Sequence, residues 1–180
     1  WDWIYIPTEI SLQNEEDGRY KSWMNEGENN RIIEIRSKTD LLYNDPTLGI
    51  FGTIDRLSPG DGMYKVKASY ENAEDAVFVG DVMEIWWDRY PWKEIVKGYN
   101  WIGYPNEWDM TVADLNTLSE INRANDGDMI IGKTGFAEFD GISGEWVAED
   151  GFYFQVGKGY LYYCTDEEGM PDGFSFDFTP

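Results

Sequence analysis

The sequence predicts a mainly β fold made of two tandem, structurally similar β-rich units, each carrying one short helix and packed together. Three observations predict it. First, motifs recur in the same order at a near-constant offset, beginning with Trp1-Asp2-Trp3-Ile4-Tyr5-Ile6-Pro7 and Tyr99-Asn100-Trp101-Ile102-Gly103-Tyr104-Pro105. Second, most of the chain falls into short runs of aromatic and β-branched residues separated by glycine-bearing turns, the pattern of short strands. Third, aromatic residues make up 17% of a chain whose net charge is −21. Charge of that size alone would favour disorder, but disordered chains are poor in aromatics, so a folded domain with an acidic surface is expected.

The recurrence extends through both halves. Ile32-Ile33 aligns with Ile130-Ile131, and Phe51-Gly52-Thr53-Ile54 with Trp146-Val147-Ala148-Glu149. Pro59-Gly60-Asp61-Gly62-Met63-Tyr64 aligns with Val156-Gly157-Lys158-Gly159-Tyr160-Leu161, and Ala76-Val77-Phe78 with Phe174-Ser175-Phe176. Self-similarity of this kind is the mark of repeated supersecondary units. It divides the chain into a first unit over 1–80, a connector over 81–98 and a second unit over 99–180.

Each unit opens with an aromatic strand closed by proline, which cannot continue a ladder. In the first unit a weak or irregular helix is expected between Ser11 and Glu26, where Gly18 and Glu16 interrupt a stripe of Leu12, Tyr20, Trp23 and Met24. The connector holds Trp86, Trp87 and Trp92, so it is no flexible linker, which would be polar or rich in Gly and Ser. It is expected to pack on at least one unit. In the second unit Thr111 is a good N-cap, with Asp114 as a capping-box-like partner, and Val112, Leu115, Leu118 and Ile121 form one apolar stripe. Asn125-Asp126-Gly127-Asp128 is a turn. Strands are expected within 129–140, 145–154 and 159–165, and a terminal one in 173–179.

Composition limits the chemistry. An acidic field repels phosphate backbones and anionic membranes, so neither nucleic acid nor a membrane surface is an expected partner. No apolar run approaches a membrane-spanning length. The chain starts at Trp1 without a targeting peptide, as expected of a piece of a larger protein. With no histidine, Ser-His and Cys-His nucleophile systems are unavailable. A carboxylate pair could be nominated almost anywhere in so acidic a chain, so the sequence predicts no enzyme and no cofactor. Asp40 with Asn44-Asp45, and Asp126-Gly127-Asp128, are oxygen-rich loops, but neither has calcium-loop spacing; both read as turns and no metal is expected. The single cysteine, Cys164, reads as a half-buried thiol at a strand end.

Several motifs of the second unit resemble a known module: Gly98-Tyr99-Asn100-Trp101-Ile102, Gly127-Asp128-Met129-Ile130, Gly135-Phe136-Ala137-Glu138-Phe139-Asp140, Gly144-Glu145-Trp146 and Gly157-Lys158-Gly159-Tyr160. Their order resembles a repeat module of large secreted or surface proteins of Bacteroidetes and similar anaerobes. The first unit departs from it, with Asp2 for the Asn, Asn30-Arg31 for Gly-Asp and Met63 for the closing Tyr. The resemblance implies an extracellular or cell-surface setting with several modules, and it brings no active site.

Aromatics are the remaining signal. Trp3 and Trp101 occupy equivalent positions and read as core residues, as do Trp146 and Phe51. Trp86, Trp87, Trp92 and Trp108 have no counterpart in the repeat. Strand alternation puts Trp86 on the face of Asp88 and Tyr90, where a flat ring beside polar groups suits a sugar. The expected function is a non-catalytic carbohydrate-binding module of a secreted or cell-surface bacterial protein. Its ligand-binding residues would be Trp86, Asp88, Arg89, Tyr90, Trp92 and Trp108, and its partner a polysaccharide or glycan. The alternative is a structural or adhesive repeat that spaces domains or docks a protein partner.

Overall fold

A computed structural model describes residues 1–6, 10–13, 19, 31–58, 62–69, 93–106, 108–117, 124–149, 151–174 and 176. The fold is mainly β, with antiparallel sheets and, among the described residues, one short helix. The first half contains β1 (Asp2–Ile4), β2 (Ile10–Ser11), β3 (Arg31–Arg36), β4 (Leu41–Asp45), β5 (Gly49–Gly52), β6 (Arg56–Leu57) and β7 (Tyr64–Ser69). Then come β8 (Lys93–Ile95), β9 (Gly98–Gly103), β10 (Met110–Thr111) and α1 (Val112–Thr117). The chain continues with β11 (Met129–Ile131), β12 (Phe136–Asp140), β13 (Glu145–Ala148), β14 (Tyr153–Phe154), β15 (Gly159–Cys164) and β16 (Met170–Phe174).

Two five-stranded sheets dominate, ordered β1-β7-β3-β4-β5 and β9-β15-β11-β12-β13. In both, the opening strand pairs with the last long strand, which pairs with a hairpin that continues to the sheet edge. The small pairs β2-β6 and β10-β14 occupy the same places in the two orders. Each half has its own core. Leu12, Ile35, Leu42, Leu57 and Tyr64 are sealed in the first. Leu115, Ile130, Phe154, Tyr162 and Cys164 are sealed in the second. The thiol of Cys164 is therefore fully buried rather than half-buried, and burial raises its pKa. Ile95, at the described end of the connector, joins the second core, where β8 pairs with β16.

Local chemistry accounts for the turns and the helix start. Thr111 Oγ1 accepts the Asp114 amide at 3.2 Å while the Asp114 carboxylate accepts the Thr111 amide at 2.9 Å, a reciprocal cap. The Thr111 hydroxyl also donates to that carboxylate and holds its pKa low. Gly127, with φ +79°, makes the turn into β11, a conformation that costs residues with a Cβ. Asp128 is completely buried and accepts from Tyr162 Oη (2.7 Å), Asn125 N (3.1 Å), Thr165 N (2.8 Å) and Thr165 Oγ1 (2.8 Å). Its two oxygens bind the 125–128 turn to the end of β15, which satisfies a buried charge that would otherwise be costly. Asp45 likewise accepts the Thr47 and Leu48 amides of its own turn, and Asp126 accepts the Gly141 amide of the turn between β12 and β13.

The structure corrects four further readings of the sequence. Trp3 and Trp101 are not core residues. In Asp2-Trp3-Ile4 and Asn100-Trp101-Ile102 the isoleucines pack inward, so alternation sends both indoles to the other face, where they are half-buried. Phe51 is not the counterpart of Trp146: it points outward against Tyr43, and Ile50 holds the corresponding place. Ile35 faces Val66 and Leu42 as Ile130 faces Tyr162 and Ala137, so Ile35 holds the place of Ile130 and the Ile32-Ile33 alignment fails; β3 also carries a register irregularity between Ile32 and Glu34. Ser11, Leu12 and Gln13 are not helical; the rest of the span expected as a first-unit helix lies outside the described residues, apart from Arg19, which is not helical either. So do Leu118 and Ile121 of the predicted stripe.

Candidate functional site

The two sheets meet where the end of β1 reaches the turn before β15. The Tyr5 amide donates to the Gly157 carbonyl at 2.8 Å, and Ile4 bridges Lys158 in antiparallel fashion. Gly157 adopts φ +71°, which turns its carbonyl toward this contact at little cost to glycine. Two side chains of the first half then enter two bare positions of the second. The Tyr5 ring lies against Gly103 and Met63 lies against Gly159, so closely that a Cβ at either glycine would overlap them. Gly103 and Gly159 are register partners in the second sheet, and Tyr5 and Met63 stand at the corresponding positions of the first.

Beside this contact is a cleft of about 170 Å³. Drug-sized ligands fill roughly 300–1,000 Å³, so this space suits a single small ring. Trp3 and Asp2 come from the first half, and Tyr153, Gln155, Lys133 and Lys158 from the second. The Asp2 carboxylate lies 3.4 Å from Lys158 Nζ and 3.6 Å from Lys133 Nζ, spanning the two halves. Gln155 Nε2 donates to the Tyr153 hydroxyl at 3.1 Å, and the Gln155 amide donates to Tyr160 Oη at 2.7 Å. Tyr160 forms the floor, where burial pushes its pKa up to about 12 despite that hydrogen bond. At neutral pH its hydroxyl is therefore a protonated polar fixture.

The outward face of the first sheet continues from Trp3. Lys65 Nζ sits 4.8 Å from the centre of the Trp3 ring and 5.0 Å from that of Trp101, wedged between the two halves. Trp1, about half exposed, has the Arg36 guanidinium 5.3 Å and the Lys67 ammonium 5.9 Å from its ring centre. Arg36 also pairs with Glu34. These are cation–π distances.

Of the residues expected to form the site, Trp86, Asp88, Arg89, Tyr90 and Trp92 lie outside the described residues. Trp108 is exposed, and its carbonyl accepts the Tyr104 hydroxyl at 2.7 Å, but it does not line the cleft. The residues the structure brings together, Asp2, Trp3, Lys133, Tyr153, Gln155 and Lys158, were not singled out as a site from sequence. One signal was available: if Ile4 faces a core, alternation exposes Trp3. Among the described residues no group of three Cys, Asp or Glu side chains is placed to hold a metal ion, and no helix is long and apolar enough to cross a membrane.

The chain matches no protein-family model, no curated protein and no solved structure.

Proposed function

We propose that this chain is a non-catalytic carbohydrate-binding module of a secreted or cell-surface bacterial protein, with the cleft between its sheets as the sugar site. One observation carries the reading: the Trp3 indole flanks a ring-sized recess edged by carboxylate, amide, ammonium and phenol groups. A pyranose ring needs that combination, with its C–H face on an aromatic and its hydroxyls on donors and acceptors. The resemblance of the second unit to modules of large surface proteins supports the extracellular setting. The non-catalytic part rests on the carboxylates. Glycoside hydrolysis ordinarily uses two flanking the scissile bond, whereas Asp2 is the single carboxylate among the described residues lining the cleft, and it is engaged by two lysines.

The test is affinity electrophoresis through a panel of soluble polysaccharides, together with a glycan array, comparing the parent chain with Trp3→Ala and Gln155→Ala. Retention that falls in both variants, with far-UV circular dichroism unchanged, is the expected result. Absence of retention on every glycan overturns the reading. A second reading, a structural or adhesive repeat, is favoured by the seating of Tyr5 and Met63 on Gly103 and Gly159. It predicts that the variants change only stability.

A further inference from the structure

Cations gather on one side of this acidic chain. Of 14 Lys and Arg residues in a chain of net charge −21, five stand around Trp1, Trp3 and the cleft: Arg36, Lys65, Lys67, Lys133 and Lys158. Among the described residues the carboxylates paired with them are Asp2 and Glu34, so within that set the patch keeps an excess of positive charge. Lys65 is held between two indoles and Lys67 over a third. Aromatic faces hold these flexible side chains in place, so less rotamer entropy is lost when an anion arrives. Such a patch in an acidic surround focuses a singly charged group locally while the rest of the surface repels dense polyanions.

We infer that the glycan bound at this face is a uronic-acid polymer. This deepens the sugar-binding reading and rests on it. One sugar ring occupies the cleft at Trp3, the chain runs over Lys65 toward Trp1, and its carboxylates meet Lys65, Lys67 and Arg36. A guanidinium offers a carboxylate two parallel N–H donors, and an ammonium offers a point charge. A uronate presents one charge per sugar on a ring whose C–H face still stacks. Nucleic acid carries about one charge per 1.7 Å of duplex, denser than one per sugar, so the chain's net charge of −21 opposes it more strongly.

The experiment is isothermal titration of the intact chain with hexagalacturonate and with the same oligomer methyl-esterified, at low and at physiological salt. Oligothymidylate is the competing probe. The free acid is expected to bind about tenfold more tightly than the ester, and to lose that advantage as salt rises. Lys67→Gln and Arg36→Gln should each narrow the gap between acid and ester. Equal affinity for acid and ester overturns the inference and leaves the sugar reading standing. Absence of binding to acid, ester and every neutral glycan overturns both. Oligothymidylate binding as tight as the free acid, and weakened by the same two substitutions, overturns the inference in favour of a single-stranded nucleic acid site.

Discussion

Replacing Gly103 by alanine tests how the two halves are joined. Gly103 does not have a positive φ, so alanine is compatible with its backbone and, by narrowing the unfolded ensemble, would stabilise by about 0.4–1 kcal/mol were the space open. The space is filled. A Cβ at this position overlaps the Tyr5 ring, which is only 5% exposed and follows a backbone amide fixed to Gly157 at 2.8 Å. Forcing a methyl group into such packing costs about 1–3 kcal/mol. Gly103→Ala should therefore destabilise, by about 1 kcal/mol net. In a Tyr5→Ala background the obstruction is gone and the sign should reverse, giving a coupling of about 1.5 kcal/mol or more. Urea unfolding of the four proteins, followed by tryptophan fluorescence, measures it. A neutral or stabilising Gly103→Ala in the parent chain, or an equal effect in both backgrounds, refutes the interlock.

Two further outcomes follow from buried polar groups. Asp128→Ala strands the donors of Tyr162, Asn125 and Thr165 and should cost about 3 kcal/mol in a urea denaturation series; a loss below about 1 kcal/mol would show that the carboxylate is not what ties the turn to β15. Tyr160 has a folded pKa of about 12 against an unfolded value near 10. Its contribution is fully present below the unfolded value and is lost as pH rises through the folded one, because the unfolded chain releases the proton first. Stability should fall by about 2–3 kcal/mol across that window, with Tyr162, also raised by burial, pulling in the same direction. Urea midpoints that stay level over this range, in the parent and in Tyr160→Phe alike, refute it.

The strand content and the second-half helix cap were legible because they depend on local chemistry. Thr111 and Asp114, the Asn125–Asp128 turn and the glycine-punctuated strands each carry their own signal. The interior register was not, because the offset between corresponding residues changes from 102 − 4 = 98 at Ile4 and Ile102 to 130 − 35 = 95 at Ile35 and Ile130, and no residue type announces a difference in the length of chain between strands. A constant offset therefore sets Ile130 against Ile32 and hides its match to Ile35. The candidate site was missed for a different reason. Equivalence within a repeat points to the interior, and Trp3 shares its place with Trp101, so the sequence favours the tryptophans lacking counterparts. Lys65, Lys133 and Lys158 lie far from Trp3 in sequence, and only the meeting of the two sheets brings them to it.

The seating of Tyr5 and Met63 on two glycines also gives the pair a polarity. The bulky members lie in the earlier half and the bare positions in the later one, so the halves are no longer interchangeable. A chain rebuilt with the halves in reverse order would carry its protrusions where nothing receives them. A third unit added ahead of these two would find its landing place already occupied by Tyr5 and Met63. Stacking in that direction would need a different contact, while the junction of these two halves builds the cleft beside Trp3.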